Sequence, residues 1–492
     1  MNYRFIIVYL LTMMSFSTNA QPMTLSLSDA IKFAKTYSLD AQLAHFRYMG
    51  NYWSYRSYRA ELLPAVTLHG NLADYNRSVE QVRNYEDGKI SYVETNQMSN
   101  SLSLSISQQI PSTGGYLSIE SYLYRLDQFT YDETTFSNQP FRISFNQPLR
   151  TYNSLKWRKK TEPLVYENSR RKYLDQMEAI TMNVTRLYFT VLSSQSSFRQ
   201  HLATQEERAR LLEQTQKRFE LGTVSKSELL QLELSLLNAG VAVKNSRMEL
   251  DNARHQLFSY LQAQEYERVE LSVPTYISGL VLSEEDVYER ALQNSPHQLE
   301  QRLTLLESER AVAEARSRNG IQLSLHSEIG VHQTGNRLSD TYKGLQDNEI
   351  VGLSFSLPLL DWGVNKGKVR VAKANLEVTK TMIEQTELDF RQTIHIQVCQ
   401  FNNQGEQCRD AIRAEEIALE RYGLTLQRFQ AGAITVTELN TAQQELEAAK
   451  NQCIVQLQNY WNLYYTLQKT ALYDFINGYV LTADFEELTE RQ

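Results

Sequence analysis

A chain of 492 residues with 42% hydrophobic content is long enough for two to four ordinary domains and can bury a sizeable core. A formal net charge of −7 removes the electrostatic reason to expect a nucleic-acid partner. Three cysteines, Cys399, Cys408 and Cys453, are too few for a disulfide framework at this length.

The chain opens with MNYRFIIVYLLTMMSFSTNAQ. Arg4 gives a positive start, Phe5 to Met14 an apolar core, and Thr18-Asn19-Ala20 a small-residue cleavage site, so residues 1–20 are expected to be a secretory signal peptide. The apolar run is too short to anchor the chain across a bilayer. Residue 21 is Gln rather than Cys, so no lipid anchor is expected on the mature N-terminus. Beyond it no stretch of about 20 apolar residues remains, and no transmembrane helix is expected.

A helix over about 27–62 is followed by segments of strict alternation. Val66 and Leu68, then SLSLSI (101–106), then Leu117 and Ile119, then Phe141, Ile143 and Phe145 are apolar at every second position, with Ser, Thr, Arg, Asn, Gln and His between. The same pattern returns at Ile321, Leu323 and Leu325 and at Leu353, Phe355 and Leu357. Each segment is about ten residues long, the length of a tilted transmembrane strand. Tyr75, Tyr85, Tyr92, Phe129, Tyr131 and Phe136 fall near the loops, where a barrel carries its aromatic girdle and outer loops. A soluble antiparallel sheet with one wet face shows the same alternation. The signal peptide, the lack of a transmembrane helix and the repeat described below favour the membrane.

All nine prolines lie outside two tracts, 164–273 and 359–492, both rich in strong helix formers. In the first, Met177, Ile180, Val184, Leu187, Val191 and Phe198 form a seam of period near 3.5; in the second, Leu439, Ala442, Leu446, Ala449 and Cys453 do the same. Such stripes are read as helices packing on neighbours. Near the middle of each tract comes an interruption, RFELGTVSKSEL (218–229) and RFQAGAITVTEL (428–439), which match at an offset of 210. Gly222 and Gly432 suit the left-handed position that closes a helix, and Ser225 with Glu228 and Thr435 with Glu438 read as capping boxes that open the next. Each tract is therefore a long helix, a tight turn and a returning helix.

The repeat extends further. SFNQPL (144–149) matches SFSLPL (354–359) at 210, whereas TLHG (67–70) resembles SLHS (324–327) at 257, as do Asp29, Ala34 and Ser38 with Asp286, Ala291 and Ser295. The first copy thus carries an excess of 47 residues, including IPSTGGYLSIESYLY (110–124), that adds a hairpin to the sheet or forms an external loop. The expected division is repeat 1 over 21–273, with strands about 65–147 and a helical hairpin 150–270, and repeat 2 over 274–492, with strands about 321–358 and a hairpin 360–475.

Four to six strands cannot close a barrel, whose minimum is about eight, and lipid does not tolerate open edges. Several chains must then share one barrel, and four strands from each of three chains give a twelve-stranded pore. The arms at about 150–220 and 360–430 reach roughly 100 Å at 1.5 Å per residue, and the shorter helices, about 27–62 and 225–270, sum to a similar length end to end. That geometry suggests a cylinder wall of helices continuing the barrel.

The duplicated plan, the junction SFSLPLLDWGVNKGKV (354–369) and the two RFxxG turns resemble the TolC family of outer-membrane efflux proteins over nearly the whole mature chain. The resemblance implies a mixed, mainly α fold: a homotrimer sharing a 12-stranded transmembrane β-barrel in outer-membrane lipid, continuous with a long periplasmic α-helical barrel, built on an internal two-fold repeat. The implied function is a passive exit duct that docks on a periplasmic adaptor (membrane fusion protein) and an inner-membrane RND or ABC transporter, in efflux or type I secretion. Arg218, Phe219, Gly222, Ser225 and Glu228, with Arg428, Phe429, Gly432, Thr435 and Glu438, become the adaptor-docking tips. Pro148, Pro358 and Gly363 become the barrel-to-helix junctions. In TolC the second tip carries an aromatic residue three before the glycine, here Phe429, and a basic residue two after it, here Ile434. Of its two lumen-facing acidic positions Glu438 matches the first, and the second is Thr441. The candidate gate therefore keeps at most one acidic ring, from Glu438, which also serves as the capping partner of Thr435.

No nucleophile elbow, phosphate loop or carboxylate pair stands out, so no enzyme activity and no cofactor are expected. His395 and Cys399 are four apart on one helical face without a third ligand, and no metal site is assigned. On one continuous helix Cys399 and Cys408 lie roughly 13 Å apart along the axis and face opposite ways; all three cysteines are expected to be buried and unbridged. The rival reading is a structural coiled-coil or adhesin-like surface protein without a channel, which predicts uninterrupted heptads and no lipid-facing strands.

Overall fold

A computed structural model of the protein describes residues 23–83, 88–222, 224–263, 269–276, 279–431 and 433–490. The expected signal peptide, Tyr85 and Gly432 lie outside the described residues. Strand β1 (Met23–Leu25) precedes helices α1 (Leu27–Tyr37) and α2 (Leu39–Glu61). Strands β2 (Ala65–Arg83), β3 (Ile90–Ile110), β4 (Gly115–Gln128) and β5 (Glu133–Pro148) lead to helices α3 (Ser154–Glu220) and α4 (Lys226–Leu261). The second half runs β6 (Val269–Leu271), α5 (Glu284–Asn294), α6 (His297–Arg318), β7 (Gln322–Gly335), β8 (Gln346–Ser356), α7 (Val364–Gln430) and α8 (Val436–Ala471). It ends with β9 (Tyr473–Asp474), β10 (Tyr479–Val480) and α9 (Phe485–Glu490).

The helices repeat in length as well as in order. α3 and α7 both have 67 residues, α4 and α8 both have 36, and α1 and α5 both have 11. From Ser154 to Val364 and from Lys226 to Val436 the displacement is 210, the offset of the sequence match. At 1.5 Å per residue each 67-residue helix is about 100 Å long. Ser38 and Ser295 end α1 and α5 identically, each donating its N–H to the alanine four before it, Ala34 and Ala291. The strands are not equal in number: repeat 1 supplies four to the large sheet and repeat 2 two, so the excess of the first copy forms β3 and β4.

The chain divides into two compact units. The first comprises residues up to Tyr48, Arg170–Gln298 and Glu387–Gln492. Its core follows the seam: Met177, Ile180, Val184, Leu187 and Val191 are buried on α3, with Leu439, Ala442, Leu446 and Cys453 on α8. Phe401, Tyr460 and Tyr464 pack as an aromatic cluster with ring centroids 5.1 Å (Phe401–Tyr460) and 6.2 Å (Phe401–Tyr464) apart. β1 and β6 pair in parallel, and Gln195 holds Leu271 of β6 by both its backbone N–H and its carbonyl. Glu178, almost fully buried, is paired by Lys35 at 2.6 Å and receives a hydrogen bond from Gln468 at 2.7 Å. Cys408 and Cys453 are buried, but Cys399 is exposed. The buried stripe of α7 runs through Ile394, Val398, Phe401 and Cys408, and one residue past Val398 the helix has turned about 100° away from it.

The second unit comprises Met49–Ser169 and Leu299–Thr386. Its sheet has six strands in the order β2-β3-β4-β5-β7-β8, every neighbour antiparallel. The register places all the alternating segments in phase. Val66 pairs with Ile106, Ile106 with Ile119, Ile119 with Ile143 and Ile143 with Ile329, one apolar row across five strands. The next row on the other face reads Thr67, Ser105, Glu120, Arg142, Gly330 and Asn348. Arg142 forms an ion pair with Glu120 and lies 3.7 Å from Glu328. The apolar face remains largely open: Val66, Leu68, Leu104, Leu353 and Phe355 are all exposed.

Candidate functional site

The turn between α3 and α4 is closed by a glycine because the chain must reverse in one residue. Gly222 has φ +69°, where a side chain costs free energy, and its N–H donates to the Phe219 carbonyl at 2.9 Å. Ser225 then opens α4: its Oγ accepts the Glu228 N–H at 3.2 Å, and the Glu228 carboxylate accepts the Ser225 N–H at 3.2 Å. Lys226 lies over the Phe219 ring, 5.5 Å from its centre. Leu221 stands 78% exposed at the apex.

The turn between α7 and α8 shares the hydroxyl cap at the start of its second helix. The Ala433 N–H reaches back to the Arg428 carbonyl at 3.0 Å, and Thr435 Oγ1 accepts the Glu438 N–H at 3.4 Å. The reciprocal bond from the Glu438 carboxylate, expected from the sequence, is not among the cap contacts of this helix. Glu438 instead lines a cavity of about 500 Å³ with Arg421, Thr425, Arg428, Ile434 and Thr441. The two positions singled out as a candidate gate, Glu438 and Thr441, thus border one recess. Arg421 on its wall is ion-paired with Glu445.

Behind the turns the four helices share a small core. Leu211 of α3, Leu232 of α4, and Val436 and Leu439 of α8 are buried together, with Tyr422, Leu426 and Phe429 of α7 packed against them. Each such leucine contributes about 1.5–3 kcal/mol by its burial. Phe429 therefore faces the hairpin core rather than standing free, while Arg218 and Arg428 are exposed.

Next to this core sits a polar network that the sequence reading did not foresee. Arg208 of α3, 4% exposed, donates to Gln443 of α8, and Gln443 in turn donates to Thr204 and, at 3.2 Å, to Glu447. The Tyr422 hydroxyl donates to Glu207. Burial pushes the Arg208 guanidinium below its ordinary value despite the nearby Glu207. Burial, with the charge of Glu207, pushes the Tyr422 phenol well above its own. The signal was available: Thr204, Arg208, Leu211 and Thr215 follow one another at steps of four, three and four, so Arg208 occupies a seam position.

At the ends of the strands the chain changes period. Pro148 pairs with Ser324, and the Leu149 and Arg150 N–H groups both donate to the Leu323 carbonyl. Asn153 then caps α3, accepting the Lys156 N–H at 3.0 Å. In the second copy Gly363, φ +88°, precedes α7, and Asp361 accepts the N–H groups of Gly363 and Asn365 at 3.0 Å each. Those backbone donors hold the Asp361 carboxyl below its usual value. Asp361 is the helix-starting residue that the emphasis on Pro358 and Gly363 missed. His395 Nδ1 lies 2.6 Å from Glu284, and its Nε2 is 3.8 Å from Cys399 Sγ. Among the described residues no group of three or more His, Cys, Asp or Glu side chains is placed to hold a metal ion, and no helix is long and apolar enough to cross a membrane.

The profile of the family described as outer membrane efflux protein matches residues 107–262 and 287–469. Among curated proteins none matches the sequence significantly. Solved structures do match in fold. The CmeC outer membrane channel of Campylobacter jejuni superposes with a TM-score of 0.66 at 15% identity, covering 97% of this chain and 94% of that one. The outer membrane protein VceC of Vibrio cholerae gives 0.62 at 13% identity, covering 90% and 95%. The open-state MtrE outer membrane channel of Neisseria gonorrhoeae gives 0.57 at 13% identity, covering 93% of each chain.

Proposed function

This chain belongs to the outer membrane efflux protein family, and from that premise we propose that three copies assemble into the exit duct of a tripartite efflux or type I secretion system. Its place is the outer membrane, and its work is passage rather than catalysis. The strands of the two repeats, 21–273 and 274–492, build a shared barrel in lipid. The helical hairpins reach into the periplasm, where an adaptor and an energised inner-membrane transporter meet the tips.

The observation that carries this reading is the sheet. It has one mainly apolar face, interrupted by Ser121, Ser327 and Glu349, and two unpaired edges, β2 and β8. In lipid each unpaired backbone group costs several kcal/mol, so such a sheet needs neighbouring copies. The helices agree: Val371, Val378, Met382 and Leu388 of α7 are all more than half exposed in the single chain. At the tips the exposed Leu221 and the exposed Arg218 and Arg428 offer an apolar point and basic groups for adaptor docking. Glu438 and Thr441 border the recess where a gate would act. A coiled-coil surface protein without a channel has no use for a sheet whose outer face is apolar.

The test is the native mass of the protein extracted from outer membranes in mild detergent. Three chains per particle is the expected result. A monomer leaves both edges open in lipid and overturns the proposal.

A further inference from the structure

We infer that the inserted hairpin β3–β4 is part of the barrel wall, so that three chains close a barrel of eighteen strands rather than twelve; the inference rests on the trimeric duct proposed above. The count is six strands in the sheet of each chain, times three.

The first argument is the register. The hairpin lies between β2 and β5, bonded to both neighbours along its length. A twelve-stranded wall would require β2 to leave β3 and pair with β5, breaking two complete ladders. The second argument is amphipathicity. Ile106 and Ile119 of the hairpin lie in the same apolar row as Val66, Ile143 and Ile329, and Leu104 pairs with Leu68 of β2. An external loop in water has no reason to keep that phase, since a slip of one residue would exchange the two faces. The polar face is continuous too: Glu120 of β4 holds Arg142 of β5, which faces Glu328 of β7.

The third argument is anchoring. The turn joining β3 to β4 is tied to the same end of the sheet as the helix junctions. Asn153, the cap of α3, donates to the Pro111 carbonyl at 3.1 Å, and Gln147 donates to the Thr113 carbonyl at 3.1 Å. Gln108 donates to the Leu62 carbonyl at 2.8 Å. The opposite end behaves differently. After the irregularity at Ala73, φ +59°, the ribbon of β2 and β3 runs on beyond β4 and mixes exposed Val79, Ile90 and Tyr92 with charged residues, Arg77 and Glu94 being paired at 2.9 Å. That ribbon is the part that stands in water outside.

Parity completes the argument. Six antiparallel strands leave β2 and β8 running in opposite directions, so β8 of one copy meets β2 of the next antiparallel. The occupant of each edge is therefore a second copy of this chain, and three copies close without a parallel seam. With strands about 4.8 Å apart and tilted about 40°, eighteen strands give a backbone diameter of about 36 Å, against about 24 Å for twelve. A wall of that size leaves an open aqueous bore.

Two measurements test this. Electron cryomicroscopy of the wild-type particle is expected to count three chains and eighteen strands. Independently, in a Cys399→Ser background, Leu104→Cys and Leu325→Cys, each carrying a fluorophore, are reconstituted in vesicles of brominated phosphatidylcholine. Both are expected to be quenched, while Ser103→Cys is not quenched and reacts with a water-soluble maleimide. Quenching of Leu325→Cys without Leu104→Cys, or three chains with twelve strands, overturns the inference and leaves the duct intact. If neither leucine position is quenched, or the particle is not a trimer, the duct reading fails and the eighteen-stranded wall falls with it.

Discussion

Replacing Gly222 probes the first tip through backbone conformation alone. Its φ is +69°, and a Cβ built there meets nothing within 4 Å, so no packing term enters. Alanine then costs only the left-handed conformation, about 1–2 kcal/mol, which raises the open fraction of the turn about 5–30-fold. Asparagine, which visits that region more readily, should cost less. Proline fixes φ near −65° and also removes the N–H that donates to Phe219 at 2.9 Å. Its cost should exceed about 3 kcal/mol, more than a hundredfold in the same equilibrium. The readouts are hydrogen exchange of the amides at Leu229 to Leu232 and export by cells carrying each variant. The expected order of damage is Asn, Ala, Pro, with Gly222→Pro abolishing export while the protein stays in the membrane. Export unchanged in Gly222→Pro, or Ala as damaging as Pro, would refute the reasoning.

The two caps should respond unequally. Ser225→Ala removes the Oγ that accepts the Glu228 N–H at 3.2 Å, leaving the backbone half of the capping box, and should cost about 1 kcal/mol, whereas Thr435→Ala removes a longer bond at 3.4 Å and should cost less, as read from exchange in the first turns of α4 and α8. Asp474 supplies a pH test. Burial opposes its ionisation, yet bonds from Asn477, Tyr464 and the Ile476 N–H outweigh it and hold the carboxyl below its usual value. A lowered folded-state value means its stabilisation is present above the unfolded value and is lost as pH falls. The melting temperature of Asp474→Asn should therefore lie below wild type at neutral pH and converge with it below about pH 4; a constant difference would refute the assignment. Burial pushes the Cys408 thiol up to about 11 and the Cys453 thiol up to about 12. A water-soluble disulfide reagent at pH 8 should leave both intact in the folded protein, with any labelling confined to Cys399, and should reach all three after unfolding.

What the amino-acid sequence settled by itself is whatever depends on local period. Two-residue alternation put Leu104, Ile119 and Phe355 on one face of their strands, and steps of three and four put Val184 and Leu446 in buried seams, because the backbone repeats at 2 and 3.6 whatever lies around it. The repeat at 210 and the Ser225 capping box are local in the same sense. The tertiary structure decided what depends on partners remote in the chain. Whether the excess of repeat 1 becomes sheet or loop turns on β3 meeting β2 and β4 meeting β5, and alternation alone fits both outcomes. Cys399 and Cys408 lie nine residues apart on one helix, and the side of α7 that each occupies relative to the buried stripe separates exposed from buried. The seam spacing puts Arg208 on the buried side of α3, but its partner Gln443, 235 residues away, is supplied only by the fold. Glu438 had two local roles open to it, and the recess beside Arg421 and Arg428 gave its carboxylate a third surrounding that no short-range pattern encodes.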